Sequence, residues 1–275
     1  MKIVFFGTSD VGLPILETLI RNHNVIHVVT SPDSKTGRKQ ELQQTPIAQA
    51  AAEHSISVSK PETVKNNSQF LEFLKTLEAD IFIVVSYGKI LPPEMLDIPE
   101  LKTLNVHFSL LPKYRGPAPI QYALLNGEQV TGTTVFVLDE LVDHGPILAT
   151  KECPIDPDDT FETLAPKLAR VSADLLTKIL PKYNSGEIVP QIQDHSQASK
   201  TGLIKKEDGK IDWAKHTAQE IYNQHRAFTP WPGIWTTYQD QILKIASCEP
   251  LTETENAELD KDVIPCAQNT FLKLI

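Results

Sequence analysis

The sequence predicts an α/β protein built on a doubly wound, mostly parallel sheet. Short buried-type apolar runs alternate with segments of helical periodicity through the first hundred residues. Such alternation feeds parallel strands joined by crossover helices. A dense set of polar side chains, Asn105-Val-His107-Phe-Ser109, also follows soon after the long apolar run at 81–85. Open α/β sheets gather their ligand groups at the carboxyl ends of strands, and this is the order of residues that would do so.

In chain order, residues 2–7 read as a buried first strand and 11–21 as a helix with apolar residues at helical spacing. A second strand covers 24–30, an Ala-rich helix 45–54, a third helix 68–77 and a further strand 81–85. The turn Gly7-Thr-Ser-Asp-Val-Gly12 is not a G-x-G-x-x-G fingerprint, and no acidic ribose ligand follows strand two, which argues against dinucleotide binding. The connection 31–42 exceeds the roughly two to six residues usual between strand and helix. It carries Lys35, Arg38 and Lys39. A solvated loop and a functional loop at the carboxyl edge are both open readings. Asp156, Asp158 and Asp159 stand at the start of a helix over 161–183, where carboxylates complement the helix dipole, and they read as caps rather than as a metal cluster. Residues 188–203 lack periodicity and read as a linker. Beyond them come a helix over 214–222, strands over 241–246 and 271–275, and an acidic stretch, 253–262, read as a solvated loop. Trp213 and Trp231 are expected to pack the small C-terminal domain.

At 41% hydrophobic and 22% charged residues, the composition is that of a globular protein, not of a disordered or membrane-spanning chain. The first apolar run is too short for a signal peptide, so a cytoplasmic location is expected. Cys153, Cys248 and Cys266 are odd in number and contain no CxxC pair, pointing to inert thiols and to no bound metal. A net charge of −9 argues mildly against nucleic acid as a partner, because phosphate contacts need Lys and Arg. A local basic face can still exist on an acidic chain.

Asn105 and His107 are two apart and share one side of an extended segment. A hydrogen-bond donor beside an imidazole suits a reaction in which a carbonyl oxygen gains negative charge while a proton moves. Farther on, Asp143 precedes His144-Gly145-Pro146 at a turn that can project a carboxylate into a cleft. Alone, a His is more often a surface or core residue than a catalyst, and an Asp before Gly-Pro is usually a turn former.

Taken together, Asn105-x-His107, Ser109-Leu110-Leu111-Pro112, Tyr114-Arg115-Gly116 and the Asp143-x-Gly145-Pro146 turn resemble the 10-formyltetrahydrofolate-dependent formyltransferases. The Tyr-Arg-Gly extension with Pro119-Ile120-Gln121 narrows the resemblance to the tRNA and sugar enzymes, and the branch acting on methionyl-tRNA is the nearer. The resemblance implies a formyltransferase, Rossmann-like catalytic domain over 1–187, a linker over 188–203 and a C-terminal domain over 204–275. That last domain would be a small OB-like β-barrel that is open, reduced or completed by a partner. It implies catalysis by Asn105, His107 and Asp143. The formyl donor 10-formyltetrahydrofolate would contact Ser86-Tyr87-Gly88-Lys89-Ile90-Leu91 and Ser109-Leu110-Leu111-Pro112. Methionyl initiator tRNA would contact Lys35, Arg38 and Lys39. The chain would act as a monomer, without metal or membrane, in translation initiation. Residues 203–275 carry eight basic and eleven acidic side chains, net −3, where a basic tRNA-facing domain is expected. Two alternatives stay open: a sugar-nucleotide N-formyltransferase using the same donor and trio, and a non-catalytic folate- or tRNA-binding module.

Overall fold

The computed structural model describes residues 1–36, 41–251 and 262–275. Two compact units divide the chain. The first comprises Met1–Arg115, Gly132–Cys153 and Pro166–Ser199, and the second Gly116–Thr131, Pro154–Ala165 and Lys200–Ile275. Residues 188–199, read from sequence as linker, thus belong to the first unit. Among the described residues no helix is long and apolar enough to cross a membrane.

Strand β1 (Lys2–Gly7) leads through α1 (Leu13–Asn22) to β2 (Asn24–Val29). An antiparallel pair, β3 (Ser34–Thr36) and β4 (Glu41–Gln43), flanks the undescribed residues 37–40. Then follow α2 (Pro46–Glu53), β5 (Val58–Ser59), α3 (Ser68–Thr76), β6 (Ile81–Val85), the single-turn α4 (Pro93–Leu96) and β7 (Thr103–His107). Helix α5 (Pro119–Leu125), of the second unit, β8 (Val130–Val137), β9 (Ile147–Pro154) and α6 (Phe161–Asn184) come next in the chain. Helix α1 turns Ile15, Leu16 and Leu19 into the core. Helices α2 and α3 start at Thr45 and Asn67, whose side chains accept from Ala48 N–H and Phe70 N–H, the usual relief for unpaired amides at a helix start.

Among the described residues, seven strands form one sheet in the order β5-β2-β1-β6-β7-β8-β9. Pairings β2–β5, β1–β2, β1–β6 and β6–β7 are parallel, and β7–β8 is antiparallel. The α/β, mostly parallel expectation holds. Strand order reverses between β1 and β6, which makes the carboxyl edge there a switch point where such folds receive ligands. Thr8 ties that edge together. Its hydroxyl donates to the Tyr87 carbonyl at 2.9 Å, so the Ser31 hydroxyl, 3.0 Å away, donates to Thr8 in turn.

In the second unit, α7 (Ala218–Phe228) packs on α5 and on the short strands around it. Strands β10 (Ile234–Tyr238) and β11 (Gln241–Ile245) form an antiparallel hairpin. Strand β14 (Phe271–Leu274) lies antiparallel between β12 (Cys248–Pro250) and β13 (Val263–Pro265). These are two separate small sheets, and no closed barrel forms among the described residues. Pro250 and Pro265 terminate β12 and β13, where the missing N–H cannot extend the ladder. Asp159 accepts from Asp156 N–H and the Thr163 hydroxyl, the capping role read from sequence. The thiol of Cys248 is pushed up to about 12 by burial and by the neighbouring Cys266, itself raised to about 11 by burial, so neither is a ready thiolate at neutral pH.

Two expectations are corrected here. Trp231 does not pack the small domain; it is 59% exposed. Helix α7 begins four residues later than 214 because Thr217 and Glu220 form a capping box. The Thr217 hydroxyl accepts from Glu220 N–H at 3.2 Å, while Glu220 accepts from Thr217 N–H at 2.8 Å. The Thr217 N–H and hydroxyl both donate to the Glu220 carboxylate and hold it below its usual range, so the box stabilises folding above the ordinary carboxylate pKa and loses that contribution as pH falls through the lowered value. Thr217→Ala is expected to cost about 1 kcal/mol at neutral pH. Urea midpoints should show that penalty shrinking in acid, and an equal penalty at both pH values would remove the box as its source.

Candidate active site

Asn105 and His107 stand on β7, two residues apart, with Asn105 opposite Val84 of β6 and Phe136 of β8. Asn105 is partly exposed, and its side-chain amide makes no hydrogen bond to the described residues. His107 is buried, and its Nε2 lies 2.8 Å from the Tyr114 carbonyl. A carbonyl only accepts, so Nε2 carries the hydrogen. Nδ1 is then the nitrogen left to gain or lose a proton, and it faces Asp143 Oδ2 at 3.6 Å. The side chains of both residues are about 90% buried or more, where their mutual electrostatic interaction is poorly screened by water.

The turn after β8 delivers Asp143. Gly145 is required there by space: a Cβ would lie 1.9 Å from the Val137 carbonyl oxygen. The Val137 N–H donates to the Pro146 carbonyl, closing the turn on the strand. Asp143 itself has φ of +51°, a left-handed conformation that side chains adopt at a cost.

The predicted donor-contacting loop after β6 divides in two. Ser86, Gly88 and Ile90 are exposed, whereas Tyr87 and Leu91 are buried, and burial pushes the Tyr87 hydroxyl up to about 12. The Lys89 ammonium donates to the Pro61 and Glu62 carbonyls, which pins the loop. In the second predicted segment, Ser109 is fully buried and its hydroxyl donates to the Lys113 carbonyl at 2.6 Å, so it shapes the turn rather than facing outward. Leu111 is buried, while Leu110 and Pro112 are partly exposed. Lys35 is exposed on β3. Arg38 and Lys39 lie outside the described residues. Thus the structure brings Asn105, His107 and Asp143 into one neighbourhood of the carboxyl edge.

A family model described as formyl transferase matches residues 1–180, and one described as formyl transferase, C-terminal domain, matches 203–270. The chain belongs to the formyl transferase family. It is 45% identical over 272 residues to the methionyl-tRNA formyltransferase of Sulfurihydrogenibium sp. (strain YO3AOP1), covering 98% of this chain and 83% of the relative. It is 42% identical to the methionyl-tRNA formyltransferase of Koribacter versatilis (strain Ellin345), covering 100% and 90%. Among solved structures it resembles the N-formyltransferase from Helicobacter canadensis in complex with folinic acid and dTDP-3-aminofucose. The TM-score is 0.75 at 22% identity, covering 100% of this chain and 98% of that one. At that identity the likeness is one of fold. In this formyl transferase, two further buried side chains adjoin the Asp143 turn. Gln193 donates to the carbonyls of Asp143 and Gly145, and Arg115 donates to Gln193. Arg115 was visible within Tyr114-Arg115-Gly116; nothing in the segment around Gln193 marked it.

Proposed function

We propose that this enzyme transfers the formyl group of 10-formyltetrahydrofolate to the α-amino group of methionyl initiator tRNA. The carrying observation is the pairing of an unengaged Asn105 amide with a buried His107–Asp143 couple on one sheet edge. Relatives 42–45% identical over nearly the whole chain, each a methionyl-tRNA formyltransferase, support the choice of acceptor. The amine attacks the formyl carbon, and its electron pair forms the new C–N bond. The carbonyl electrons move to oxygen, which Asn105 stabilises by donating a hydrogen bond. Collapse breaks the bond to the folate nitrogen. The proton lost by the amine passes to the His107–Asp143 couple, which returns it to the departing nitrogen. His107 acts through Nδ1, because its Nε2 is committed to the Tyr114 carbonyl. The amine is itself the nucleophile, so no enzyme-bound acyl intermediate and no metal is needed. The donor lies against the exposed parts of Ser86–Leu91 and of the 109–112 turn. The reading assigns catalysis to 1–187, connection to 188–203 and tRNA contact to 204–275, in a cytoplasmic monomer.

Incubating the enzyme with charged initiator tRNA and 10-formyltetrahydrofolate should yield formyl-methionine by mass detection. Formylation of nucleotide-linked amino sugars in its place would give the sugar-nucleotide alternative the stronger claim.

The loop carrying Lys35, Arg38 and Lys39 is assigned to the tRNA acceptor arm. Arg38→Ala is expected to raise KM for methionyl-tRNA and leave folate affinity within about twofold, since the lost contact is to phosphate. The salt dependence of tRNA binding should become shallower by about one unit of slope. Identical tRNA titrations for the two proteins at low and high salt would rule out this role.

A further inference from the structure

We infer that Gln193 is a positioning residue that holds Asp143 in its reacting orientation, an inference resting on the reading of Asp143 as a reacting carboxylate. The Asp143 turn is left-handed at φ +51° and points two main-chain carbonyls, those of Asp143 and Gly145, toward one side chain. The Gln193 amide nitrogen donates to both, at 3.0 and 2.7 Å, using its two hydrogens. Its oxygen accepts from Arg115 Nη2 at 2.6 Å. Gln193 is 5% exposed and Arg115 8% exposed, so these bonds form away from water.

The same Nη2 lies 2.9 Å from His195 Nδ1. A guanidinium only donates, so Nδ1 accepts and His195 is the neutral tautomer with its hydrogen on Nε2. The His195 ring stacks flat on that of His144, centroids 4.0 Å apart and planes 8° apart. His144 Nδ1 in turn lies 2.7 Å from Asp139 Oδ2. A chain of contacts therefore leaves the Asp143 turn through its carbonyls and returns to it through His144. It pins together residues 115, 139–145 and 193–195.

Only an amide fits position 193 without cost. One end must donate twice to carbonyls while the other accepts from a cation. Leucine removes the donor to both carbonyls, and glutamate opposes acceptors with acceptors. A bond to the Asp143 main chain, one residue's length from the carboxylate, sets where that carboxylate sits relative to His107. Displacement of a reacting group by about 1 Å is enough to cost about 10²-fold in rate.

The test is a kinetic cycle with Gln193→Leu, made in the native chain and in the Asp143→Asn chain, varying methionyl-tRNA and 10-formyltetrahydrofolate in turn. The native-background variant should lose about ten- to a hundredfold in kcat with both KM values within about twofold, as misplacement without lost binding requires. In the Asp143→Asn background the same change should alter kcat by less than about twofold, because the group it positions is already disabled. His195→Ala, at an exposed residue, should show the same pattern with a smaller loss and carries the test if Gln193→Leu does not fold. Equal losses in both backgrounds, or losses confined to KM, would overturn the positioning role while leaving Asp143 in place. Native turnover in Asp143→Asn alone would overturn the reading of Asp143, and this inference with it.

Discussion

Asn105→Ala should lower turnover by about 10²–10³-fold, the loss measured when a single oxyanion donor is removed from an enzyme site. The substitution should leave folate affinity within about twofold, because the bond it deletes forms only as charge develops on the formyl oxygen. Folding should be little affected. The Asn105 amide makes no hydrogen bond to the described residues, so no structural partner is orphaned. His107→Ala and Asp143→Asn should fall at least as far, since each removes half of one proton-transfer couple. The two should not add. Once either member is gone, the proton path through the couple is broken, and the double variant should be no slower than the worse single one. Multiplicative losses in single-turnover assays would mean that His107 and Asp143 act at different steps. Near-native turnover of Asn105→Ala at saturating substrates would leave the oxyanion without its proposed donor.

The sequence made the first half of the sheet legible because β1, β2 and β6 are predominantly apolar runs between amphipathic helices. Strand β8 was passed over, since its Thr-Gly-Thr-Thr core breaks the apolar run even though Thr131, Thr133 and Thr134 are all buried. The Thr133 and Thr134 hydroxyls find partners inside, donating to the His107 and Ser109 carbonyls. Helix α5 opens on Pro119 in a Pro-Ala-Pro stretch that reads as loop, yet proline suits a first helical turn. Position 193 inverts the usual rule. Ile192 is 85% exposed and Gln193 is 5% exposed, the reverse of what side-chain polarity suggests for neighbours on an extended segment. Two backbone carbonyls and an arginine decide that position, and their location depends on residues 48 or more away in sequence. The proposed trio stands in a legible motif, whereas the contacts that hold it do not. Partner groups contributed by distant segments leave no local period.

Gly145→Ala should be the most damaging small substitution near the site. The added Cβ would lie 1.9 Å from the Val137 carbonyl oxygen and 3.1 Å from its carbon, both main-chain atoms of β8. A flexible side chain could swing aside, but a strand in the middle of a sheet cannot, so the turn itself must move. Moving it strains the bond from Val137 N–H to the Pro146 carbonyl and the bond from Gln193 to the Gly145 carbonyl at 2.7 Å. Asp143 is two residues away and is held by the second hydrogen of the same Gln193 amide. A displacement near 1 Å at its carboxylate is therefore expected, with a loss of about 10²-fold or more in turnover. Stability should fall by about 2–4 kcal/mol, in the range of overpacking and broken buried hydrogen bonds. The two losses separate by temperature. Assayed well below its melting midpoint, where the variant is fully folded, it should remain slow. Recovery of native turnover on cooling would show that the glycine serves folding alone and that the Asp143 carboxylate tolerates a shifted turn.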